Sequence, residues 1–423
     1  MELILEVFTY IIGLGVTVMM PIIITILGLI FRKDFSVSFR AGLTVGMGFV
    51  GLKTITGLLL YTISPVNQGL VERLGFKLTA VDVGWSFGSS IAWGTEVVPF
   101  VFLAIIATNV VMVFLGWTRT MDIDIWNFWH PLFIASGLYV TTGSMLLAVV
   151  SAVINMAIIF KVADWTQRDC EEVLGLEGIS LPHIQTSAWA LVGYPLNWVL
   201  DQIPLIKDIN WTTEGVQEKL GLFGEPMIMG LSIGLTLAWA AGFDFAQTVQ
   251  TGVVIAGCLV LMPRMVSLLM DGLIVIAEAA QEFMESRFQG HKIYIGLDSS
   301  VAIGHPFVMA MGLLMIPVVM GLAFVLPGNI TLPLADLSVL SFFMVYAIVP
   351  SKGNLFRGIV IGVVISIILL YVSSYAAPVM TQLAGQLKIA VPPGTMQITS
   401  LALGAQWYTW LVYAVLNWLG GGG

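Results

Sequence analysis

Few residues in this chain can do chemistry, and those that can sit in almost uncharged surroundings. Asp298-Ser299-Ser300, Ser89-Ser90 with nearby Glu96, and Glu225 in Gly224-Glu225-Pro226 place carboxylates and hydroxyls within long apolar stretches. Such groups accept and donate hydrogen bonds to a hydroxylated substrate. An ionised side chain at the bilayer centre costs ~2.5–3.5 kcal/mol on insertion scales, so a carboxylate kept there points to a function. The plainer alternative makes each one a structural partner for a nearby cation, Lys53 or Arg264. Three histidines, His130, His183 and His305, join the candidates, whereas His291 lies in a basic segment and reads as solvated. The four show no metal-ligand spacing, and Cys170 and Cys258 form neither a metal motif nor a disulfide framework. No metal or other cofactor is therefore expected. Trp85 and Trp93 flank the Ser89-Ser90 segment, where an indole face can pack on the C–H face of a sugar or polyol.

What must position these groups is a membrane. Apolar residues make up 58% of the chain and charged ones 10%, with a mean hydropathy of +0.96. Uncharged runs such as Val97–Thr118, Leu132–Phe160 and Gly358–Leu387 exceed the ~20 residues that cross a hydrocarbon core as helix. A soluble helical core would need polar faces that these runs lack. The first run is too long for a cleaved signal peptide, and Glu2 and Glu6 stand where such a peptide carries cations. There is no Walker loop, dinucleotide loop, voltage-sensor helix or selectivity filter, and nothing suggests nucleic acid. Energy for any transport must come from an ion gradient or from chemistry supplied by another protein.

The chain also echoes itself. Ser89-Ser90-Ile91-Ala92-Trp93-Gly94 returns as Ser299-Ser300-Val301-Ala302-Ile303-Gly304, 210 positions later, and the same offset pairs Asp34-Phe35 with Asp244-Phe245 and Gly143 with Gly353. Matching loops carry opposite charge character: Arg32–Arg40 is basic where its counterpart Gly242–Gln250 lacks cations, and Ser351–Arg357 is basic where Thr141–Ser144 is uncharged. Cations mark the cytoplasmic side, so corresponding loops fall on opposite sides and the halves form an inverted repeat. The expected fold is an all-α polytopic membrane protein of about eleven transmembrane helices. Residues 1–162 form the first repeat, with a polar hairpin near 84–96. A cytoplasmic connector with amphipathic segments covers 163–224. The second repeat takes 225–378, with a hairpin near 294–306, and 379–423 hold an external loop and a last helix. The N-terminus is then outside and the C-terminus inside. The polar hairpins read as re-entrant segments meeting near the midplane, since irregular backbone at that depth must be buried in protein or line a water-filled cavity. Their helix N-termini would offer free N–H groups. Extramembrane loops with small turn residues are the simpler alternative.

Taken with the Gly224-Glu225-Pro226 turn, the His183-Ile184-Gln185 segment and the overall length, the hairpins resemble the galactitol-type membrane subunit (IIC) of the bacterial phosphoenolpyruvate-dependent phosphotransferase system. The ascorbate-type IIC is a more distant relative. The resemblance spans nearly the whole chain and is strongest at Phe49–Gly57, Gly84–Pro99, Trp126–Gly137, Gly224–Gly230 and Gly296–Pro306. It implies an inner-membrane homodimer whose core carries the sugar past a dimerisation scaffold, as in an elevator. Similarity to the ascorbate-type site carries over three positions, His130, His183 and Asp298. Ile134 and Ala135 stand where ascorbate-type sequences are polar, and Glu96 and His305 fall in segments that differ, so a linear polyol or a sugar is expected rather than ascorbate.

The implied function is uptake coupled to phosphorylation. A polyol binds from outside and is presented to a separate IIB protein, itself charged through IIA, whose phosphocysteine donates the phosphoryl group. Asp298 and His183 are the candidate acceptors of the hydroxyl proton. The substrate-binding set is Trp85, Ser89, Ser90, Glu96, His130, His183, Glu225, Asp298, Ser299, Ser300 and His305. The alternative is an ion-gradient-driven polyol or sugar symporter of the same architecture, with Glu96, Glu225 or Asp298 carrying the proton.

Overall fold

Long uncharged apolar runs fold mostly as helix. The structure, a computed structural model, describes residues 16–74, 78–209, 211, 225–287, 293–303, 305–387 and 397–421. Two very long helices, Phe35–Leu74 and Phe245–Arg287, lie side by side, and the shorter helices Val16–Ile30 and Pro226–Ala241 pack on them. At 1.5 Å per residue the 40-residue helix runs about 60 Å, roughly twice the hydrocarbon thickness. Small residues let the pair approach closely. A Cβ on Gly272 would stand 2.5 Å from the Ala41 carbonyl oxygen, the kind of contact by which helices associate in lipid. Lys33 Nζ, 2.8 Å from Glu282, ties the Val16–Ile30 end of this group to the long helix opposite.

A second group encloses the main hydrophobic core. It comprises Val98–Phe114, Trp129–Thr142 and Met145–Leu174 from the first half, and Pro306–Val325, Leu340–Ile348 and Leu355–Gln386 from the second. Among the described residues, three helices are long and apolar enough to cross a membrane: Met145–Leu174, Phe307–Val325 and Leu355–Gln386. Phe87–Trp93 and Val98–Phe114 together make a fourth apolar pair, bent by 95° at the break around Gly94–Val97. The polar stretch after residue 162 begins as the last turns of Met145–Leu174. The chain then turns inward, and Ser180, His183, Gln185, Thr186, Ser187 and Trp189 are all buried.

Among the described residues, the all-helical expectation misses six short strands. β1 (Ala80–Asp82), β2 (Thr120–Asp122), β3 (Ile179–Ser180), β4 (Tyr294–Gly296), β5 (Thr331–Leu332) and β6 (Gln397–Thr399) form two parallel three-stranded sheets. One has the order β5-β1-β6, with Ala80 opposite Thr331 and Gln397. The other has the order β2-β4-β3, with Ile295 opposite Met121 and Ile179. Each central strand thus comes from one half of the chain and both its neighbours from the other. Two or three residues are too few for periodicity to register, which is why the sequence does not announce them. Their position is what matters: β1 leads into the helix Trp85–Trp93 and β4 into the turn Ser300–Ile303. Gly84, at φ 90°, makes the sharp exit from β1 that a side chain would oppose.

Candidate functional site

Parallel strands end at the same edge of a sheet, and at the edge of β2-β4-β3 several of the candidate residues collect. After β2 comes Asp124, whose Oδ1 accepts the Trp126 N–H at 3.0 Å and starts a 3₁₀ turn, Ile125–Phe128. That turn carries Asn127 and feeds the helix Trp129–Thr142, placing His130 in its first turn. After β3, Leu181-Pro182 leads to His183, which caps the single turn Ile184–Ser187. After β4 comes Asp298, whose Oδ1 accepts the Ser300 N–H at 2.7 Å. Asp124 Oδ2 accepts the Asp298 N–H at 3.1 Å and so joins β2's loop to β4's.

These loops bring His130, His183 and Asp298, distant in sequence, into one buried cluster. His183 Nδ1 lies 2.6 Å from Asp298 Oδ2 and 3.0 Å from Asn127 Oδ1. Asn127 is the better aligned of the two acceptors, and Asp298 Oδ2 is left without an aligned donor. The His130 ring meets the His183 ring edge-on at 4.7 Å, and its Nε2 stands 3.2 Å from Gln185 Oε1. Phe342 closes another side, 5.8 Å from the His183 ring. His183 Nε2, Ser299 Oγ and Thr186 Oγ1 are buried without a protein partner. Buried polar atoms in folded proteins are normally satisfied, so this set of free donors and acceptors fits a polyhydroxylated ligand.

The remaining predicted residues are placed differently. Trp85 packs edge-on to Trp126 at 5.7 Å, which sets the start of the first polar segment against the turn bearing Asn127. Ser89 is buried in that segment, Ser300 is buried beside Asp298, and the side chains of Ser90 and Lys53 lie outside the described residues. Glu96 is exposed at the bend, while neighbouring Thr95 bonds Ser136 at 2.7 Å. Glu225 is exposed ahead of the helix Pro226–Ala241, and His305 is half-buried against Phe307 at 5.3 Å. Arg264 is exposed, and His291 lies outside the described residues. The structure does not bring Glu96, Glu225 or His305 to the histidine pair.

Sequence reasoning missed Asp122, Asp124, Asn127 and Gln185. A signal existed: Asp122-Ile123-Asp124 stands one residue before Trp126-Asn127-Phe128-Trp129-His130 in a chain poor in charge. It also missed a second carboxylate cluster at the matching edge of β5-β1-β6. Asp82 accepts the N–H groups of Gly84, Leu334 and Asp336 at 3.1, 3.0 and 2.9 Å. Asp336 accepts the N–H groups of Trp85 and Ala402 at 2.8 and 3.0 Å and the Ser400 hydroxyl at 2.5 Å. Every oxygen there is engaged, so this cluster is a brace, and the polar atoms left free belong to the other.

A mostly helical membrane protein with a buried, partly unsatisfied polar cluster at the meeting of its two halves is a transport protein. The chain belongs to the family EIIC-GAT, the sugar-specific permease component of phosphotransferase systems, whose sequence profile matches residues 10–394. It is 35% identical over 412 residues to the galactitol-specific EIIC component of Escherichia coli (strain K12), covering 97% of this chain and 91% of that protein. The galactitol-specific EIIC component of Escherichia coli O157:H7 matches to the same extent. A further K12 protein, described as a candidate permease IIC component, is 36% identical over 397 residues, covering 94% of this chain and 91% of that protein. The chain is thus the sugar- or polyol-translocating subunit of a bacterial phosphotransferase system, a membrane permease that works with a IIB partner.

Proposed function

We propose that this permease takes up galactitol or a closely similar linear polyol and presents its terminal hydroxyl for phosphorylation by IIB. The observation that carries the reading is the cluster of His130, His183, Asp298 and Ser299. It is buried, built from both halves of the chain, and rich in free hydrogen-bonding atoms. The substrate hydroxyl attacks phosphorus as the S–P bond of phosphocysteine breaks. The electron pair leaves with the thiolate, and His183, steadied by Asp298, receives the hydroxyl proton. Positioning and charge stabilisation carry such a transfer. Glu96, Glu225 and His305 stand apart, and we assign them no contact with substrate in this conformation.

The same reading covers the architecture. Eleven spans in an inverted repeat are supported by the exchange of strands, in which β1 sits between β5 and β6 while β4 sits between β2 and β3. An elevator-type motion in a homodimer is supported by the separation of two packed groups, the long-helix scaffold and the core that bears the cluster. The N-terminus lies outside and the C-terminus inside, and IIA charges IIB upstream.

The test uses purified protein in liposomes loaded with phosphorylated IIB, with radiolabelled galactitol outside. Label trapped as sugar phosphate is expected. Accumulation of the free polyol, driven by a proton gradient without IIB, would overturn the reading.

A further inference from the structure

His183 Nε2 can accept a proton only if the ring hydrogen sits on the other nitrogen, since a neutral imidazole has one N–H and one lone pair. Asn127 sets which it is. Its Oδ1 is aligned on His183 Nδ1 at 3.0 Å. A primary amide could equally turn its NH₂ toward the ring, which would force the hydrogen onto Nε2 and remove the base. Asp122 prevents that turn. Asp122 Oδ1 lies 2.8 Å from Asn127 Nδ2 and also accepts the Asp124 backbone N–H at 3.3 Å. A backbone N–H only donates, so Asp122 Oδ1 is an acceptor toward Asp124, and as an unprotonated oxygen it has no hydrogen to give Asn127. The Asn127 atom facing it must then be the amide nitrogen.

Asp122 is held in turn from behind. Its own N–H donates to Asn109 Oδ1 at 3.0 Å, and Asn109 Nδ2 donates to the Thr120 carbonyl at 2.9 Å. Thr120 and Asp122 both lie in β2, in register with Tyr294 and Gly296 of β4. The relay therefore starts in the sheet and ends at the ring.

We infer that Asp122 and Asn127 are positioning residues that hold His183 as its Nδ1–H tautomer, leaving the Nε2 lone pair for the substrate hydroxyl. This rests on the reading of His183 as proton acceptor. Asp298 works in the same sense. Its Oδ2 lies 2.6 Å from Nδ1 but off the N–H direction, so it contributes charge to the imidazolium formed in the transfer while Asn127 takes the aligned bond. Asp122 acts through an acceptor oxygen, and its charge is not what the relay requires.

The experiment is nitrogen NMR of the full-length protein labelled at histidine, with His183 assigned by its absence in His183→Asn. It is paired with galactitol binding and with phosphorylation by phosphorylated IIB. Wild-type His183 is expected to show an unprotonated Nε2. In Asp122→Ala the freed amide turns, the Nε2–H form appears, and phosphorylation falls by about tenfold or more while galactitol still binds. Asp122→Asn keeps an oxygen for the Asp124 N–H, and so should restore the tautomer and most of the rate lost in the alanine variant. An Nε2–H tautomer in the wild type overturns the inference without any variant, and so does Asp122→Asn behaving like Asp122→Ala. If His183→Asn phosphorylates galactitol at the wild-type rate, the assignment of His183 as proton acceptor fails. If His183→Asn is inactive but Asp122→Ala keeps both tautomer and rate, the positioning role alone fails.

Discussion

At the residue scale, the site is defined by polar atoms the protein leaves unbonded. Ser299 Oγ is buried with no partner, a cost of about 1–3 kcal/mol for a fold with no use for it. Ser299→Ala should therefore leave thermal stability unchanged or raised while weakening galactitol binding, a split that calorimetry and a thermal melt would read together. Weakened stability with unchanged binding would make the hydroxyl structural. Asp298→Asn keeps shape and volume but removes the charge 2.6 Å from His183 Nδ1. Its phosphorylation rate should fall by about 100-fold or more, with binding far less affected, because the proposed mechanism forms a His183 imidazolium that this charge steadies. Full activity in that variant would remove Asp298 from the chemistry.

At the scale of elements, two short sheets do the placing. Asp336 satisfies donors from β1's exit and from the segment after β6, while Asp82 satisfies the turn after β5. The two carboxylates thus bind the halves of the chain to each other through backbone N–H groups. Asp336→Ala orphans the Trp85 N–H and the Ser400 hydroxyl and leaves the Ala402 N–H only its 3.1 Å bond to Ser400 Oγ, so it should destabilise by on the order of 3 kcal/mol. A thermal melt in detergent would register this. A melt matching wild type would mean that water replaces the brace. Close approach of backbones sets a similar limit below the site, where a Cβ on Gly193 would collide with the Tyr346 carbonyl. The strands were not legible in the sequence because each, at two or three residues, spans barely one alternation of the β pattern. The helices were, because their apolar runs are long and end at glycine or charge.

At the scale of the whole molecule, orientation is the prediction most directly open to test. Cys170 and Cys258 are buried and give little background for labelling. A cysteine at Lys352, exposed between two helices, should react with an impermeant maleimide only from the cytoplasmic face. One at Asp244, exposed at the turn ahead of the long helix Phe245–Arg287, should react only from outside. Labelling of both from the same side would sink the proposed topology. The homodimer predicts a particle of twice the chain's mass in detergent, and a monomer active in liposomes would remove it.

The sequence by itself determined the membrane environment and the mostly helical fold, and it marked Asp298, Ser299 and the histidines as candidates. Hydropathy is a local property, and the histidines and Asp298 stand out wherever charge is scarce. Family resemblance supplied which histidines mattered, since nothing in spacing joins positions 130, 183 and 298. Only the tertiary structure decided which polar residues converge. Asp298 follows a strand that pairs with strands from the other half of the chain, so His183 and Asp124, which it meets, lie more than a hundred residues away. It likewise set Glu96, Glu225 and His305 apart and brought in Asp122 and Asn127. Those assignments depend on how two- and three-residue strands pair across the molecule, and such pairing is fixed by packing of the whole core rather than by any local run of residues.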